Sequence, residues 1–520
     1  MPDQLEDGLL REGEIFNKGY MTDPPSIVIP EAQGLSSVLK NADPFYPLIM
    51  RKRNGLGSYQ NLGATDLFVN DNSHRALIAI ANWSGTGAVY SYHQGTISAA
   101  TAMRLYQDGT RITNIELTGT SYQLVQGGNY LFLIRDAGNI HYIDLVGAST
   151  TLVDAGSGNT NFPTCQHALY TSQGRMLATN FDTESMYYSN ALDVLTWNRT
   201  TNLKTITGGK ARGLTGMLES QKNLMLMAKP DSFVEIDISS PIPGNWQSRM
   251  AFDGVGIPRG SERGLVDVAG QFFFLGPDGL YSLNELKAGV YLPVSYPVKS
   301  DFDPFVNYVR RFDTTLTVYR GCVFVINKTL SYVMVYDTNA RRWMQMTQAA
   351  TMLSADCHSS SSINTDGIDA FALMYHASDT RKRVSIIDEN TTPSDFVDGS
   401  ITITRETRSH NFGSLDVLKS GEFLEIMCLA EAASPGSIAV KYQINENGTW
   451  TALAESPMLL TGTAGAILTK KFSLSPGAIG NWRTIKFQFV EATAARCTIV
   501  SYSVFARLNN QELSGAGAIT

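Results

Sequence analysis

The chain has 520 residues, 43% of them hydrophobic, with 45 glycines and a formal net charge of −7. The length exceeds what one small core can organise and points to two or three domains, while the charge excludes bulk attraction to nucleic acid or to an anionic membrane surface. The acidic start MPDQLEDGLLREG has no apolar centre, and no run approaches the roughly 18 apolar residues of a membrane span, so the expectation is a soluble chain without a secretory signal.

Residues 1–55 carry no regular period. They hold Pro24, Pro25, Pro30, Pro44 and Pro47 and end in the basic cluster Arg51-Lys52-Arg53 before Asn54-Gly55. The expectation is an extended N-terminal arm, of the kind that orders on a neighbouring subunit. The basic cluster reads as a solvated loop, with contact to phosphate or an acidic partner as the alternative.

From residue 56 to 392 the chain repeats one unit, an apolar run, a turn and a second apolar run. Residues 272–283 (FFFLGPDGLYSL) show it most plainly. Pro277 fixes φ at the second turn position, and Asp278 and Gly279 tolerate the angles that follow. Two β-rich runs around such a turn make an antiparallel hairpin, which is marginal alone. Comparable units lie at residues 76–92, 130–145, 176–188, 224–238, 323–336 and 371–387. Taking Leu77, Tyr130, Met176, Leu224, Phe272, Val323 and Phe371 as markers, the steps run from 46 to 53 residues. A period of roughly 40–50 residues with several strands per unit predicts an all-β fold built as a β-propeller. Seven markers predict seven blades, and the irregular first unit leaves six as the alternative. Helix is expected to be scarce, with one short helix within residues 302–311.

The polar, turn-rich run 390–400 (NTTPSDFVDGS) marks a boundary. Beyond it, alternating segments at 423–429, 438–443, 469–474, 483–490 and 498–506 predict a C-terminal β-sandwich over residues 393–508. Residues 509–520 read as a flexible tail.

Little in the sequence nominates chemistry. Cys165, Cys322, Cys357, Cys428 and Cys497 form no C-x-x-C pair, and their odd number and wide spacing argue for a reduced chain without a disulfide framework. Cys165-Gln166-His167 and Cys357-His358 are the close Cys/His neighbours, and neither has the second half of a zinc site. Gly208-Gly209-Lys210-Ala211 is the nearest approach to a phosphate-binding loop, but it lacks the hydroxyl and the upstream glycine. It reads as a turn. Asp301 and Asp303, or Asp379 beside Arg381, are the candidate carboxylates for glycoside cleavage, and nothing in the sequence pairs them across a cleft. Residues 445–450 (NENGTW) and 189–197 (SNALDVLTW) resemble the Asp-box turn of sialidase-like propellers, a packing device. The sequence thus nominates no catalytic, cofactor-binding or metal-ligating residue, and no cofactor.

The order of several segments carries a family resemblance. YYSNALDVLTW (187–197) is followed by GLTGMLE (213–219), DSFVEI (231–236), GVGIPRG (254–260) and VDVAGQFFFLGPDGLYSL (266–283); further on come YQINENGTWT (442–451) and SPGAIGNWRTIKF (475–487). This succession resembles the tail hub, or nozzle, proteins of short-tailed bacteriophages, also called packaged-DNA stabilisation proteins. The likeness is densest over residues 180–290 and 405–505. The chain departs from the pattern in Asn for Asp in the turn of 445–450, in Ile479 for Leu, and in the irregular first unit.

What the resemblance implies is a structural virion protein of the phage tail and no enzyme. Such proteins form homo-oligomeric rings, commonly hexamers, below the portal and head-to-tail adaptor. They extend the channel for double-stranded DNA, retain it until ejection, and offer docking surfaces to a needle or plug and to fibres or tailspikes. An acidic balance would let DNA slide without sequence-specific grip. Two other classes stay open. A glycan-binding or glycan-cleaving adhesin would set Trp83, Trp197, Trp246 or Trp343 over a cleft, and a protein-interaction scaffold would need neither cleft nor ring.

Overall fold

A computed structural model describes residues 121–135, 140–146, 152–154, 162–210, 212–221, 223–327, 329–347, 401–412, 417–430, 436–493 and 497–508, and outside these spans the strands given below with a few residues beside them. Strand accounts for 51% and helix for 8%, so the chain is all-β, in several antiparallel sheets. Each of the seven hairpins read from the repeat is present.

Four-stranded sheets open the series: Ala76–Trp83, Thr86–Ile97, Ala100–Gln107 and Thr110–Arg111 in the first, then Ser121–Gly127, Tyr130–Arg135, His141–Asp144 and Val153–Asp154 in the second. The third contains His167–Tyr170, Met176–Thr179, Ser185–Asn190 and Asp193–Trp197, with Leu203–Thr205 also paired to Ser185–Asn190. The fourth contains Gly216–Gln221, Leu224–Ala228, Ser232–Asp237 and Gln247–Asp253. The fifth has three strands, Leu265–Val268, Gln271–Leu275 and Leu280–Ser282, and the sixth has Thr314–Tyr319, Cys322–Asn327, Tyr332–Asp337 and Arg342–Thr347. Thr351–Asp356, Phe371–His376 and Lys382–Ile387 form the seventh, whose fourth strand, Gly57–Asn61, comes from the other end of the chain. The first strand of each sheet lies against the first strand of the next, and Thr351–Asp356 lies against Ala76–Trp83.

The second strands of the second to sixth sheets are largely buried on both faces, and alternate residues serve different neighbours. Leu131 and Leu133 pack towards the first sheet with Tyr90 and Leu105, whereas Phe132 and Ile134 pack towards the third with Met176 and Ala178. Leu177 joins Met217, Met225 and Met227 of the fourth sheet. Leu226, Ala228 and Phe233 turn the other way, to Phe274 and Tyr281 of the fifth. That double burial explains why the strands read as continuous apolar runs instead of alternating ones.

The turn at 276–279 closes as its residue types require, with the Gly276 amide donating to the Gly279 carbonyl at 2.9 Å. The expected helix is Lys299–Val306, which starts three residues early and buries Phe302, Phe305 and Val306 at helical spacing. Its partners include Trp343, 5.5 Å from Phe302, and Tyr332, 5.4 Å from Phe305.

Beyond the hairpin Ser394–Asp395/Gly399–Ser400, all five expected C-terminal strands are found, in two sheets. In one, Lys419–Leu429 is flanked by Ile467–Ser473 and Thr498–Leu508. In the other, Ile485–Glu491 is flanked by Ile403–Thr407 and Ser437–Ile444. Leu424, Ile426, Phe472 and Val504 of the first share a core with Ile438, Val440, Phe487 and Phe489 of the second.

The segment 1–55, expected as an extended arm, contributes strands to these same sheets. Leu9–Ile15 pairs along Thr498–Leu508, Met50–Arg51 pairs with Ile499 and Thr498, and Ser36–Lys40 pairs with Ile403–Thr407. Lys40 also pairs in parallel with Gln345, so the sixth sheet runs on into the C-terminal one. The tail 509–520 lies outside the described residues.

Because Phe274 sits between Phe233 (4.7 Å) and Tyr281 (5.6 Å) at a seam between sheets, Phe274→Ala is expected to cost about 3–5 kcal/mol. Urea unfolding followed by fluorescence measures this. A loss below about 1 kcal/mol would mean that the fourth and fifth sheets do not share a core.

Candidate functional site

The residues weighed for chemistry in the sequence go to separate places. Cys165 is buried among Phe132, Phe162 and Ala178, and burial pushes its thiol up to about 12. His167 opens the third sheet's first strand, where burial pushes its imidazole down to about 4. Among the described residues, no three His, Cys, Asp or Glu side chains gather as a metal site would require. Asp303 pairs with Lys299 one helical turn away at 2.6 Å, and the Asp301 carbonyl accepts from the Tyr332 hydroxyl at 2.9 Å. Both aspartates thus belong to the surface and packing of one helix. Asp379, Arg381, Cys357 and His358 lie outside the described residues, as does the side chain of Trp83.

Gly208 and Gly209 have φ of 120° and 71°, and the Lys210 amide donates to Asp231 at 2.9 Å, which makes this stretch the connection between the third and fourth sheets. A Cβ on Gly209 would fall 2.1 Å from the Ser232 hydroxyl, so both conformation and space require glycine. The two Asp-box-like turns also serve packing. Trp197 is buried, with Nε1 donating to the Val194 carbonyl at 2.8 Å. Asn445 Oδ1 accepts from the Arg483 and Thr484 amides at 2.7 and 3.2 Å.

An adhesin would expose its tryptophans, and here three are enclosed. Trp246 Nε1 donates to Ser240 O at 2.8 Å and Trp343 Nε1 to Val294 O at 3.0 Å, and with Trp197 all three are at most 3% exposed. The rings fill seams between elements and offer no face to a sugar.

The fold does gather polar groups where one sheet meets the next. Glu219, at the end of the fourth sheet's first strand, accepts from the Ser172 amide (2.7 Å), the Ser172 hydroxyl (2.5 Å) and the Asn223 amide (3.0 Å), tying that sheet to the third. At the other end of the same seam, fully buried Lys229 meets Glu184 at 2.6 Å and also donates to the Gly208 carbonyl. Lys204 donates to Trp246 O at 2.6 Å and Arg175 to Pro241 O at 2.9 Å across the same pair of sheets. In the fourth sheet Glu235 is held by Arg249 of the neighbouring strand at 2.6 Å, and Lys287 of helix Leu283–Lys287, which follows the fifth sheet, reaches it at 2.9 Å. Within the sixth, Arg342 and Asp337 form a buried pair at 3.1 Å.

The side-chain pairs that bridge two sheets were not visible in the sequence because their partners lie about one repeat apart, 45 residues for Lys229–Glu184, 47 for Glu219–Ser172 and 52 for Lys287–Glu235. A spacing of one repeat between opposite charges was the available signal. What the arrangement does chemically is mechanical: charge-assisted bonds fix one sheet's ends against the next.

No family model and no curated protein matches the chain. Similar solved structures include the computationally designed protein Ika8, 9% identical with a TM-score of 0.34, over 64% of this chain and 99% of that one. PorZ, a surface component of the type-IX secretion system of Porphyromonas gingivalis, is 12% identical with a TM-score of 0.31, over 72% of this chain and 44% of PorZ. The N-terminal domain of Nup159 is 8% identical with a TM-score of 0.33, over 68% of this chain and 100% of that domain. At these scores none of them bears on function.

Glu235 supplies a pH test. Burial acts to raise its carboxyl, but the hydrogen bonds from Lys287 and Arg249 outweigh that, and the group titrates below the usual carboxylate range. A folded value below the unfolded one adds stability above the unfolded pKa of about 4.3, and loses it as pH falls through the folded value. Arg249 is 74% exposed, so solvent screening limits the gain. Glu235→Gln is expected to cost about 1–2 kcal/mol at neutral pH. In urea unfolding the gap from wild type is expected to shrink as pH falls towards about 3. A gap independent of pH would show that the carboxylate's charge is not what these bonds require.

Proposed function

We propose that this chain is a structural protein of a bacteriophage virion, a tail hub or nozzle that extends the DNA channel below portal and adaptor, retains packaged DNA and conducts it during ejection. In this reading the seven sheets are blades of one β-propeller, closed where Gly57–Asn61 completes the seventh sheet, and the two C-terminal sheets are a β-sandwich. The observation that carries it is the succession of sheets, each first strand against the next, with Thr351–Asp356 against Ala76–Trp83. A wall that must resist an advancing duplex needs stiffness, and pairing between distant ends of the chain supplies it.

The family-like segments support the same reading by where they fall. Residues 187–197 make the outer turn of the third sheet, 254–260 join the fourth to the fifth, and 266–283 are the fifth. In the C-terminal module, 442–451 and 475–487 contain the paired ends of strands Ser437–Ile444 and Ile485–Glu491, where Tyr442 stands opposite Phe487. The segments that resemble the family thus occupy turns and hairpins. The partners that follow are other copies of the chain in a ring, hexameric by the family pattern, the head-to-tail adaptor, a needle or plug, and fibres or tailspikes. Double-stranded DNA passes without sequence-specific binding, and the place of action is the virion tail. The enclosed tryptophans weigh against the glycan-directed alternative.

Electron microscopy of the purified chain, alone and with its adaptor, tests this reading. The expected particle is a closed ring of identical subunits. Monomers in both preparations would overturn it.

A further inference from the structure

Four polar residues face one another across the seam between the third and fourth sheets, and their hydrogen bonding is incomplete. His167 and Thr179 stand directly opposite on neighbouring strands of the third sheet, so they share a face. Two positions along those strands lie Leu169 and Leu177, which pack into the core between the two sheets. Period-two alternation puts His167 and Thr179 on that same face. On the fourth sheet the Thr215 amide bonds to the Ala228 carbonyl, which sets Thr215 beside Lys229. Two positions further are Met217 and Met227, in the same core.

The four residues therefore close one end of an apolar seam. Thr179, Thr215 and Lys229 are completely buried. Among the described residues, His167 Nδ1, Thr179 Oγ1 and Thr215 Oγ1 are buried with no hydrogen-bond partner. Lys229 has Glu184 and the Gly208 carbonyl, and its ammonium carries a third donor. Orphaned hydroxyls and an imidazole nitrogen cost free energy unless something bonds them. Three in one seam, beside a buried ion pair, mark a place built for a polar guest.

We propose that this seam binds an internal water molecule, held by Thr179, Thr215 and His167 and accepting from Lys229, as an integral joint between the third and fourth sheets. The chemistry selects water over an ion. Glu184 already balances Lys229, so the cluster is neutral, and burial keeps His167 uncharged near neutral pH. Water also fits the mixed demand, since it donates twice and accepts twice, and buried waters typically make about three hydrogen bonds.

Thr→Val replacement gives a test by sign, because valine has nearly the shape of threonine without the hydroxyl. If the hydroxyls hold a shared water, T179V and T215V each lower the thermal midpoint, by about 1–2 °C. The double variant then loses less than the sum of the two, since the first change already frees the water. If the hydroxyls are truly unbonded, removing either relieves a buried polar group. The midpoint rises, the effects add, and the proposal falls. A high-resolution diffraction map of the full chain is the second measurement. A solvent peak within hydrogen-bond distance of both threonine hydroxyls is expected. An empty seam overturns the proposal, and so does an anomalous peak there after a bromide soak, which would make the guest a halide.

Discussion

The packing of the second to sixth sheets depends on the fact that a small sheet cannot bury both faces by itself. The strand Met176–Thr179 shows the consequence within three consecutive residues: Met176 and Ala178 are core for the second sheet's side, and Leu177 is core for the fourth's. Leu224–Ala228 divides in the same way between its two neighbours. Each fully buried aliphatic or aromatic side chain contributes about 1.5–3 kcal/mol, and in these strands that gain exists only while the next sheet is in place. Stability is thus a property of seams, and no sheet holds its own share of it.

Apolar contact alone would let the sheets slide, because methionine and leucine faces accept many registers. The fourth sheet meets the third through Met217, Met225 and Met227, side chains that adapt readily to altered packing. The directional groups stand at the ends of that seam, Glu219 with Ser172 at one and Lys229 with Glu184 at the other. A charged hydrogen bond loses its strength over a small displacement, so these pairs fix what the methionines leave free. Glu184 keeps 32% side-chain exposure, whereas Lys229 is fully buried, so its desolvation is offset by Glu184 and the Gly208 carbonyl.

Much of this was legible in the sequence, and the physical reason separates what was from what was not. Hairpins were legible because their determinants are local: turn residues such as Pro277, Asp278 and Gly279 sit within the unit they close. The C-terminal strands were legible from alternation where one face is left partly exposed, as in Lys419–Leu429 and Ser437–Ile444. The pairing of Leu9–Ile15 with Thr498–Leu508 was not, because LLREGEI carries three charges in seven residues and its partner lies at the far end of the chain. Prolines in the first 55 residues pointed to an arm, and they say nothing about where the intervening stretches pair. The polar seam of His167, Thr179, Thr215 and Lys229 was hidden for a related reason. His167 stood out beside Cys165, its neighbour in sequence, whereas the groups that matter to it come from strands up to 62 residues away.

The pairing of both chain ends ties the repeat sheets to the C-terminal ones. Gly57–Asn61 belongs to the seventh sheet, while Leu9–Ile15, Ser36–Lys40 and Met50–Arg51 belong to the C-terminal sheets. Ser36–Lys40 further touches Arg342–Thr347, and one continuous core runs from Phe324 and Met344 of the sixth sheet to Ile426 and Phe487 of the C-terminal ones. Two domains joined by a single strand of chain would hinge there. These two are joined through the core, through a shared sheet and through an N-terminal segment that returns between them. Bending one against the other would therefore break backbone hydrogen bonds and open apolar surface together.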